Sequence, residues 1–283
     1  MMHQVLRWLL VAVATAGLGG CLDMEKLVHV KADGSGFVEE RILIKREALA
    51  MMQGMAKMGG QPGAETSFQL IDPEKLAAEA AAMGPGVSLV STEALSTPEA
   101  EGYVARFAFT DINQLILDQN PKDPAAGDDA QAGGGPEATS SASEAIRFEL
   151  RPGAAPVLVV HTPADTAKDP AAVSPEAKDS VLPEGPEGDM AMQMMQQMFQ
   201  GMRVVVAIEV EGEIQETNAA FREGSRVTML DIEFEQLLKD PERFRRFAAS
   251  QPEGVGEVKA LMKDMPGVKI EPAETVEIQF APQ

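Results

Sequence analysis

The chain is poor in the residues on which redox, disulfide and metal chemistry depend. Its 283 residues include one cysteine, three histidines, one tryptophan and one tyrosine. A single cysteine excludes the disulfide-framework and zinc-ribbon classes. Basic residues are also few, 24 against 44 acidic ones, and the net charge of −20 argues against a nucleic-acid partner. Apolar residues make up 45% of the chain, which is enough for a globular core.

The first twenty residues have the pattern of a secretory signal peptide. One basic residue, Arg7, precedes an uncharged run from Trp8 to Gly20 that ends in small residues. This run is too short to cross about 30 Å of hydrocarbon as a mature helix, so a buried cysteine behind a transmembrane anchor is the less favoured alternative. The end of the run, Leu18–Cys21, resembles the lipobox of bacterial lipoproteins. The resemblance implies that residues 1–20 are removed and that Cys21 carries a covalent lipid, with no other cofactor.

The lipid on Cys21 would be the only attachment to the membrane. A chain this acidic has no polybasic patch for anionic headgroups, whereas several acyl chains give effectively permanent binding. Leu22 stands where an aspartate would resemble an inner-membrane retention signal, which favours the outer membrane, with the body facing the periplasm. The first apparent strand begins near Leu27, so we expect a spacer of about five residues that reaches at most about 18 Å.

Two stretches, residues 119–143 and 163–189, interrupt the apolar pattern. Both are rich in Ala, Pro, Gly and acidic residues and nearly free of large apolar side chains. Such segments cannot offset the entropy lost on ordering, so we expect disordered insertions within a single domain that spans residues 21–283. The β-hairpin predicted between them must add to a sheet built by the flanking segments.

Hydrophobic periodicity and turn residues predict the remaining elements. Asp72 and Pro73 suit the N-cap and first position of a helix, and Val276, Ile278 and Phe280 alternate as in a strand with one wet face. The predicted strands cover residues 27–30, 37–44, 87–93, 102–110, 146–150, 157–161, 203–211, 213–221, 225–233 and 275–280. The predicted helices cover residues 45–58, 74–83, 112–118, 190–201, 234–239, 241–250 and 255–265.

Clustered hairpins and helices, without a strict βαβ rhythm, indicate an α+β fold. We expect a mainly antiparallel sheet with helices packed on one face. A faint internal echo suggests a weakly duplicated unit, since Glu101-Gly102 leads to Asp111 much as Glu223-Gly224 leads to Asp231.

One part of the chain is similar to a known family. Residues Gly212–Ala219, then Gly224 and Val227–Phe234, resemble the strand–turn–strand repeat of LppM-like bacterial envelope lipoproteins. The hairpin around Asp33–Gly36, close behind the cysteine, is similar to that family as well. The resemblance covers residues 21–45 and 203–235. It implies a cell-envelope domain that binds a ligand or lipid, with no established catalytic residues to carry over.

Seventeen methionines, concentrated in residues 51–58 and 190–202, give the main candidate binding residues. Their three-and-four spacing forms apolar helical stripes, which either fill an irregular core or line a surface that accepts varied apolar partners. Core packing is the more common use. Clustered thioethers could also bind Cu(I), although the usual histidine helpers, His29 and His161, lie in separate predicted strands. The stripe methionines are Met51, Met55, Met58, Met195, Met198 and Met202.

Arg243 and Arg246 are the second candidate site. A guanidinium can bind a lipid phosphate with a planar fork of donors. The alternative is an ordinary solvated helix, because Glu242 lies four residues before Arg246.

Catalytic motifs are missing from the sequence. Gly34-Ser35-Gly36 is a turn and not a nucleophile elbow, and no phosphate-binding or zinc motif is present. We therefore expect a non-enzymatic, membrane-anchored lipoprotein of the cell envelope that binds a lipid, an envelope polymer or a hydrophobic protein segment. The alternatives are a periplasmic Cu(I)-binding protein that uses the Met-rich helices and a structural spacer with no ligand.

Overall fold

The computed structural model describes residues 22–50, 70–118, 145–163, 201–240, 242–243, 255–263 and 265–282. These residues form thirteen strands in two sheets and a few short helices. In chain order the strands are β1 Leu22–Val30, β2 Gly36–Lys45, β3 Ser88–Ser96, β4 Ala100–Phe109, β5 Ile116–Asp118, β6 Ala145–Arg151, β7 Val157–His161, β8 Arg203–Val210, β9 Gly212–Thr217, β10 Arg222–Glu223, β11 Arg226–Glu233, β12 Val268–Ile270 and β13 Thr275–Pro282. The helices are α1 Pro73–Ala82, α2 Phe234–Leu237 and α3 Val255–Met262, with a 3-10 turn at Ile112–Gln114 and helical residues at 46–50 and 242–243.

The large sheet has eight strands, in the order β10-β11-β8-β1-β2-β4-β3, with β12 also paired to β11. Its neighbouring strands are antiparallel except β1 and β8, which run parallel. The small sheet has five strands in the order β5-β6-β7-β13-β9, and every pair in it is antiparallel. Because β1 lies between β8 and β2, the first described residue, Leu22, begins an interior strand.

The β1–β2 hairpin has the turn that the sequence predicts. Gly34 adopts a φ of 84°, and the Asp33 carboxylate accepts hydrogen bonds from the backbone and hydroxyl of Ser35. This local Asx-type turn fixes the register in which Val30 faces Gly36 and Leu22 faces Ile44. Helix α1 is confirmed in the same way, since the Asp72 side chain accepts from the backbone N–H groups of its first turn.

The main apolar core takes its side chains mainly from the two sheets, and a small second cluster joins Leu237, Met262 and Met265. Helical contributions are small: Leu76 and Ala80 of α1, Met83 directly after it, and Leu49. From the large sheet come Met24, Val28, Val30, Val38, Ile42, Ile44, Tyr103, Phe107, Phe109, Val206, Ile208 and Val227. From the small sheet come Leu117, Ile146, Phe148, Leu158, Val160, Ile214, Val276, Ile278 and Phe280.

The predicted α+β fold, one antiparallel sheet covered by helices, is therefore wrong. The described residues lie mostly in strands. The side of the core that faces the large sheet is supplied mainly by the second sheet and not by helices. The hairpin of residues 146–161 does add to flanking strands, but in this second sheet. Alternation predicts that a strand has one buried face, yet it does not say which of two sheets the strand joins.

Gly212 is where the chain changes sheets. Val210 pairs with Val30 in the large sheet, and two residues later Gly212 pairs with Pro282 in the small one. The φ of Gly212 is 144°, and a Cβ there would stand 2.0 Å from the Ala281 carbonyl oxygen. Only glycine fits this backbone and this close approach.

Two smaller predictions also fail. The helix expected at residues 112–118 is one 3-10 turn followed by β5, which pairs with β6. The suggested duplication would require Gly102 and Gly224 to have equivalent structures. Gly102 lies inside β4, whereas Gly224 is a turn residue with a φ of 61°. The insertions at 119–143 and 163–189 fall outside the described residues, apart from Pro163, and the helix expected at 190–201 is described only at its last residue. Within the described part of the chain, no helix is long and apolar enough to span a bilayer.

Candidate functional site

The start of β1 fixes the geometry of any anchor on Cys21. Cys21 itself lies outside the described residues, but Leu22, the next residue, already pairs with Ile44. The predicted spacer of about five residues is therefore wrong, because the strand begins five residues earlier than its apolar pattern indicates. A lipid on Cys21 would be joined directly to an interior strand of the large sheet.

At the other end of β1, an open cleft of about 260 Å³ lies across three strands. Its walls include His29 and Lys31 from β1 and the turn after it, Phe37 from β2, and Glu209 and Glu211 at the end of β8. With a rise of about 3.3 Å per residue, the cleft lies about 26 Å along the strand from Leu22. Leu22 and the cleft thus lie at opposite ends of one strand.

Aromatic and charged groups are layered in this cleft. The rings of His29 and Phe37, cross-strand neighbours, stack with centroids 4.2 Å apart, and the Arg106 guanidinium lies 5.6 Å from the Phe37 ring. His29 Nδ1 is 3.4 Å from a Glu209 carboxylate oxygen. Burial lowers the pKa of His29 although Glu209 opposes it, so at neutral pH the imidazole is mainly uncharged. The cleft therefore offers aromatic surface, carboxylates and one ammonium to a polar ligand.

A second polar group lies within the core, on the inner face of the large sheet. Lys26 Nζ is 2.8 Å from Glu40 Oε2 and 2.9 Å from Glu79 Oε1, and the Tyr103 hydroxyl donates to Glu40 Oε1 at 2.9 Å. The Glu40 side chain is only 4% exposed. We call Lys26, Glu40, Glu79 and Tyr103 the buried cluster. One ammonium thus serves two carboxylates, and one of these carboxylates comes from α1.

Burial and charge shift the pKa values of this cluster in different directions. Burial alone would lower the pKa of Lys26, but Glu40 and Glu79 together raise it above its usual range. Burial and the Glu40 charge raise the pKa of Tyr103. Burial also raises the pKa of Glu79, with Lys26 opposing and Glu40 adding to the shift. At neutral pH, Lys26 is therefore charged and Tyr103 neutral. The ionised form of Glu79 is less stable in the folded chain than in water.

Glu79→Gln should change how stability depends on pH. Because the pKa of Glu79 is higher in the folded than in the unfolded chain, the folded state binds more protons, and stability falls as pH rises from about 4.5 through the folded pKa. Glutamine does not titrate, so the stability of Glu79→Gln relative to wild type should increase between pH 4 and pH 7. Urea unfolding across this range measures it, with the exposed Glu74→Gln on the same helix as control. Parallel profiles for wild type and Glu79→Gln would contradict this assignment.

The outer face of the large sheet carries paired charges. Arg203 donates two hydrogen bonds of 2.9 Å to Asp231, and Lys269 lies 3.6 Å from the same carboxylate. Burial would raise the pKa of Asp231, but Arg203 and then Lys269 hold it below its usual value. Across the sheet, Glu25 pairs with Arg226 at 2.7 Å. These pairs bridge strands that are far apart in sequence, and they are structural.

A further buried carboxylate, Glu271, is also structural. It is 1% exposed, and its two oxygens accept the backbone N–H groups of Ala220 and Ala273 at 2.8 and 3.1 Å. The carboxylate therefore fastens two loops between strands.

Most of the predicted site residues lie outside the described part of the chain. This holds for Cys21, for Arg246, and for the methionines at 51, 55, 58, 195 and 198. Met202 is described: it is partly buried directly before β8, and its carbonyl accepts the Phe234 backbone N–H. Arg243 is exposed, and its guanidinium lies 3.5 Å from the Asp240 carboxylate. His29 and His161 lie in strands as predicted, and no described group of three His, Cys, Asp or Glu side chains could hold a metal ion.

The sequence interpretation missed the buried cluster, although a signal for it was present. Alternate residues of a strand lie on the same face, so Lys26 faces inward with Met24 and Val28. For the same reason, Glu40 faces inward with Val38 and Ile42. Counting outward from the hairpin turn then makes Lys26 and Glu40 direct cross-strand neighbours, as the structure has them. Nothing in the sequence indicates that α1 would add Glu79.

Comparison with known proteins gives little. No family model matches the chain, and no curated protein matches it. Among solved structures, the folded domain of LppM from Mycobacterium tuberculosis is similar with a TM-score of 0.29 and 11% identity, over 94% of this chain and 92% of that one. Residues 21–45 and 203–235 are those for which the sequence predicts a resemblance to LppM-like proteins. A TM-score this low does not identify a common fold, so the family resemblance stays an expectation.

Proposed function

We propose that the protein is a lipid-anchored, non-enzymatic binding protein of the bacterial cell envelope. It is held on the periplasmic face of the outer membrane by acyl chains on Cys21, and it binds an envelope polymer in the cleft. The observation that carries the proposal is that β1 joins the two: it begins directly after the cysteine and ends in the cleft wall. The cleft then faces away from the bilayer, towards the periplasm.

The chemistry of the cleft favours a hydroxyl-rich and charged polymer over a lipid tail. Acyl chains bind in enclosed apolar cavities, whereas this cleft is open and its walls include Lys31, Glu209 and Glu211. Sugar hydroxyls and amides can accept from the ammonium and donate to the carboxylates, and their apolar faces can lie on the exposed parts of the stacked rings. A distance of about 26 Å from the anchored end also keeps the cleft away from the acyl region.

Co-sedimentation of the mature protein, solubilised in detergent, with purified insoluble peptidoglycan tests the proposal. We expect wild type to pellet with the polymer and Glu209→Gln/Glu211→Gln to bind at least about tenfold more weakly. A hydrogen bond to a charged group contributes about 1.5–3 kcal/mol, and glutamine replaces it by a neutral one that contributes about 0.5–1.5 kcal/mol. The matched control Glu74→Gln/Glu99→Gln removes two exposed carboxylates elsewhere and should bind like wild type. Failure of wild type to pellet, or equal loss in both double variants, would reject the cleft as a polymer site.

A further inference from the structure

The outer edge of β3 differs from every other sheet edge in the described structure. The opposite edge of the large sheet consists of β10 and β12, with two and three residues. One edge of the small sheet is β5, with three residues, and at the other edge, β9, the Arg222 guanidinium donates to the Ile214 carbonyl. Short strands and side-chain cover are the usual protections against strand addition. The β3 strand has nine residues, and no other described strand pairs with its outer side.

Most of strand β3 is exposed, although α1 lies beside it and Leu89 packs against the main core. Seven of its nine residues are exposed, and Val90 is 59% exposed, the larger value of the two exposed large apolar residues in the described structure. Residues 90–94, all exposed, are thus the part of β3 that the core leaves uncovered. Among the described residues, this edge is protected by the charge of Glu93, by an irregularity between Leu89 and Ser91, and by Arg46, which donates to Ser96 Oγ and the Thr97 carbonyl at its end.

We propose that β3 is a docking edge at which an extended, basic segment of a partner protein adds as a further strand. Main-chain hydrogen bonds to the unpaired side of β3 would supply the affinity, and alternate side chains the selectivity. The charge of the segment follows from the surface that it meets. Glu93 is the single charged residue of β3, and Glu99 lies beyond the end of the strand, whereas Glu101 is already paired with Arg46. The chain as a whole carries −20.

A second copy of the chain fits this edge poorly. The sequence of β3, SLVSTEALS, is nearly palindromic about Thr92, and antiparallel self-pairing would place Leu89 opposite Leu95. The irregularity at Val90 prevents this pairing, because it puts the two leucines on opposite faces of the sheet. Leu89 pairs with Phe107, which faces the core, whereas Leu95 pairs with Gly102, which lies on the outer face of β4. Opposite residues of two paired strands must share a face. Two copies would also bring together two strongly acidic bodies.

The test uses the full mature protein and a synthetic peptide of the length of β3 that alternates lysine with valine or threonine. We expect fluorescence anisotropy to show saturable binding, and hydrogen exchange at residues 88–96 to slow when the peptide is bound. The same peptide N-methylated at alternate residues keeps its charge but cannot complete the ladder, and it should bind at least about tenfold more weakly. Equal binding of both peptides would overturn the proposal, since only charge attraction would then be at work.

Two variants locate the binding on the protein. Val90→Lys and Leu261→Lys each replace an exposed large apolar residue by lysine, so they change the net charge equally. Val90→Lys should weaken binding of the lysine peptide at least about fivefold, and Leu261→Lys should leave it nearly unchanged. Ala94→Lys repeats the test further along β3. Equal effects of Val90→Lys and Leu261→Lys, or a dimer in solution that Val90→Lys abolishes, would also overturn the proposal, the latter in favour of a second copy.

Discussion

Replacing Cys21 by serine should abolish fatty-acid labelling of the protein and its firm attachment to the membrane. Each buried methylene contributes about 0.8 kcal/mol, so several acyl chains make binding effectively permanent, and an acidic chain gains nothing from anionic headgroups to replace them. Wild type should be extracted from the membrane pellet only by detergent. Labelling of growing cells with an alkyne fatty acid, followed by fractionation, measures both effects.

The serine variant needs a companion, because an uncut hydrophobic leader can hold a chain at the membrane by itself. A version exported behind an ordinary cleavable signal peptide, and beginning at Leu22, lacks both the leader and the thiol. It should appear in the soluble periplasmic fraction with an unchanged fold, since β1 starts at Leu22. Unlabelled wild type, or a soluble wild type, would disprove lipidation at Cys21.

Replacing Lys26 by methionine should destabilise the fold by about 3–5 kcal/mol, the cost of removing one partner from a buried ion pair. Methionine keeps most of the stem volume, so the loss reports the charge and not a cavity. Glu40 and Glu79 would face each other without a cation, and Glu40 cannot reach water because its side chain is 4% exposed. Urea unfolding at pH 7 measures the change.

A triple variant separates charge from packing at this position. Lys26→Met/Glu40→Gln/Glu79→Gln removes all three charges, leaves Tyr103 a carbonyl acceptor, and should recover most of the lost stability, because a neutral core costs less than an unpaired charge. Tyr103 is the only tyrosine in the chain, and the only tryptophan is Trp8, so the tyrosine absorbance of the mature protein reports this cluster directly. A loss below about 1 kcal/mol for Lys26→Met would mean that the carboxylates find other partners.

Local chemistry explains which elements could be predicted. The turn at Asp33–Gly36 and the cap at Asp72-Pro73 act within a few residues, so the first hairpin and α1 follow from sequence alone. The division into two sheets depends on where the chain crosses over, and Gly212 gives no advance sign of this, because a glycine between two strands equally predicts a turn. The 3-10 turn at Ile112–Gln114 failed as a helix because the next residues find a strand partner in β6.

The candidate site was harder to predict than the fold, for a different reason. The cleft joins β1, β2 and β8, and the last of these comes about 180 residues after the first. Periodicity places His29 and Glu209 in strands but does not reveal that β8 runs parallel beside β1. The methionine stripes predict a binding surface because their spacing is regular, but most of their residues lie outside the described structure.

The position of β1 also has a mechanical meaning. A force applied through acyl chains to Leu22 would act along β1. This strand is held by nine residue pairs with β2 on one side and by eight with β8 on the other. Ladder hydrogen bonds lie across the strand direction, so a pull along β1 must shear many of them at once, whereas a pull on an edge strand could unzip them singly. A lipid on Cys21 would thus be attached where the domain best withstands tension.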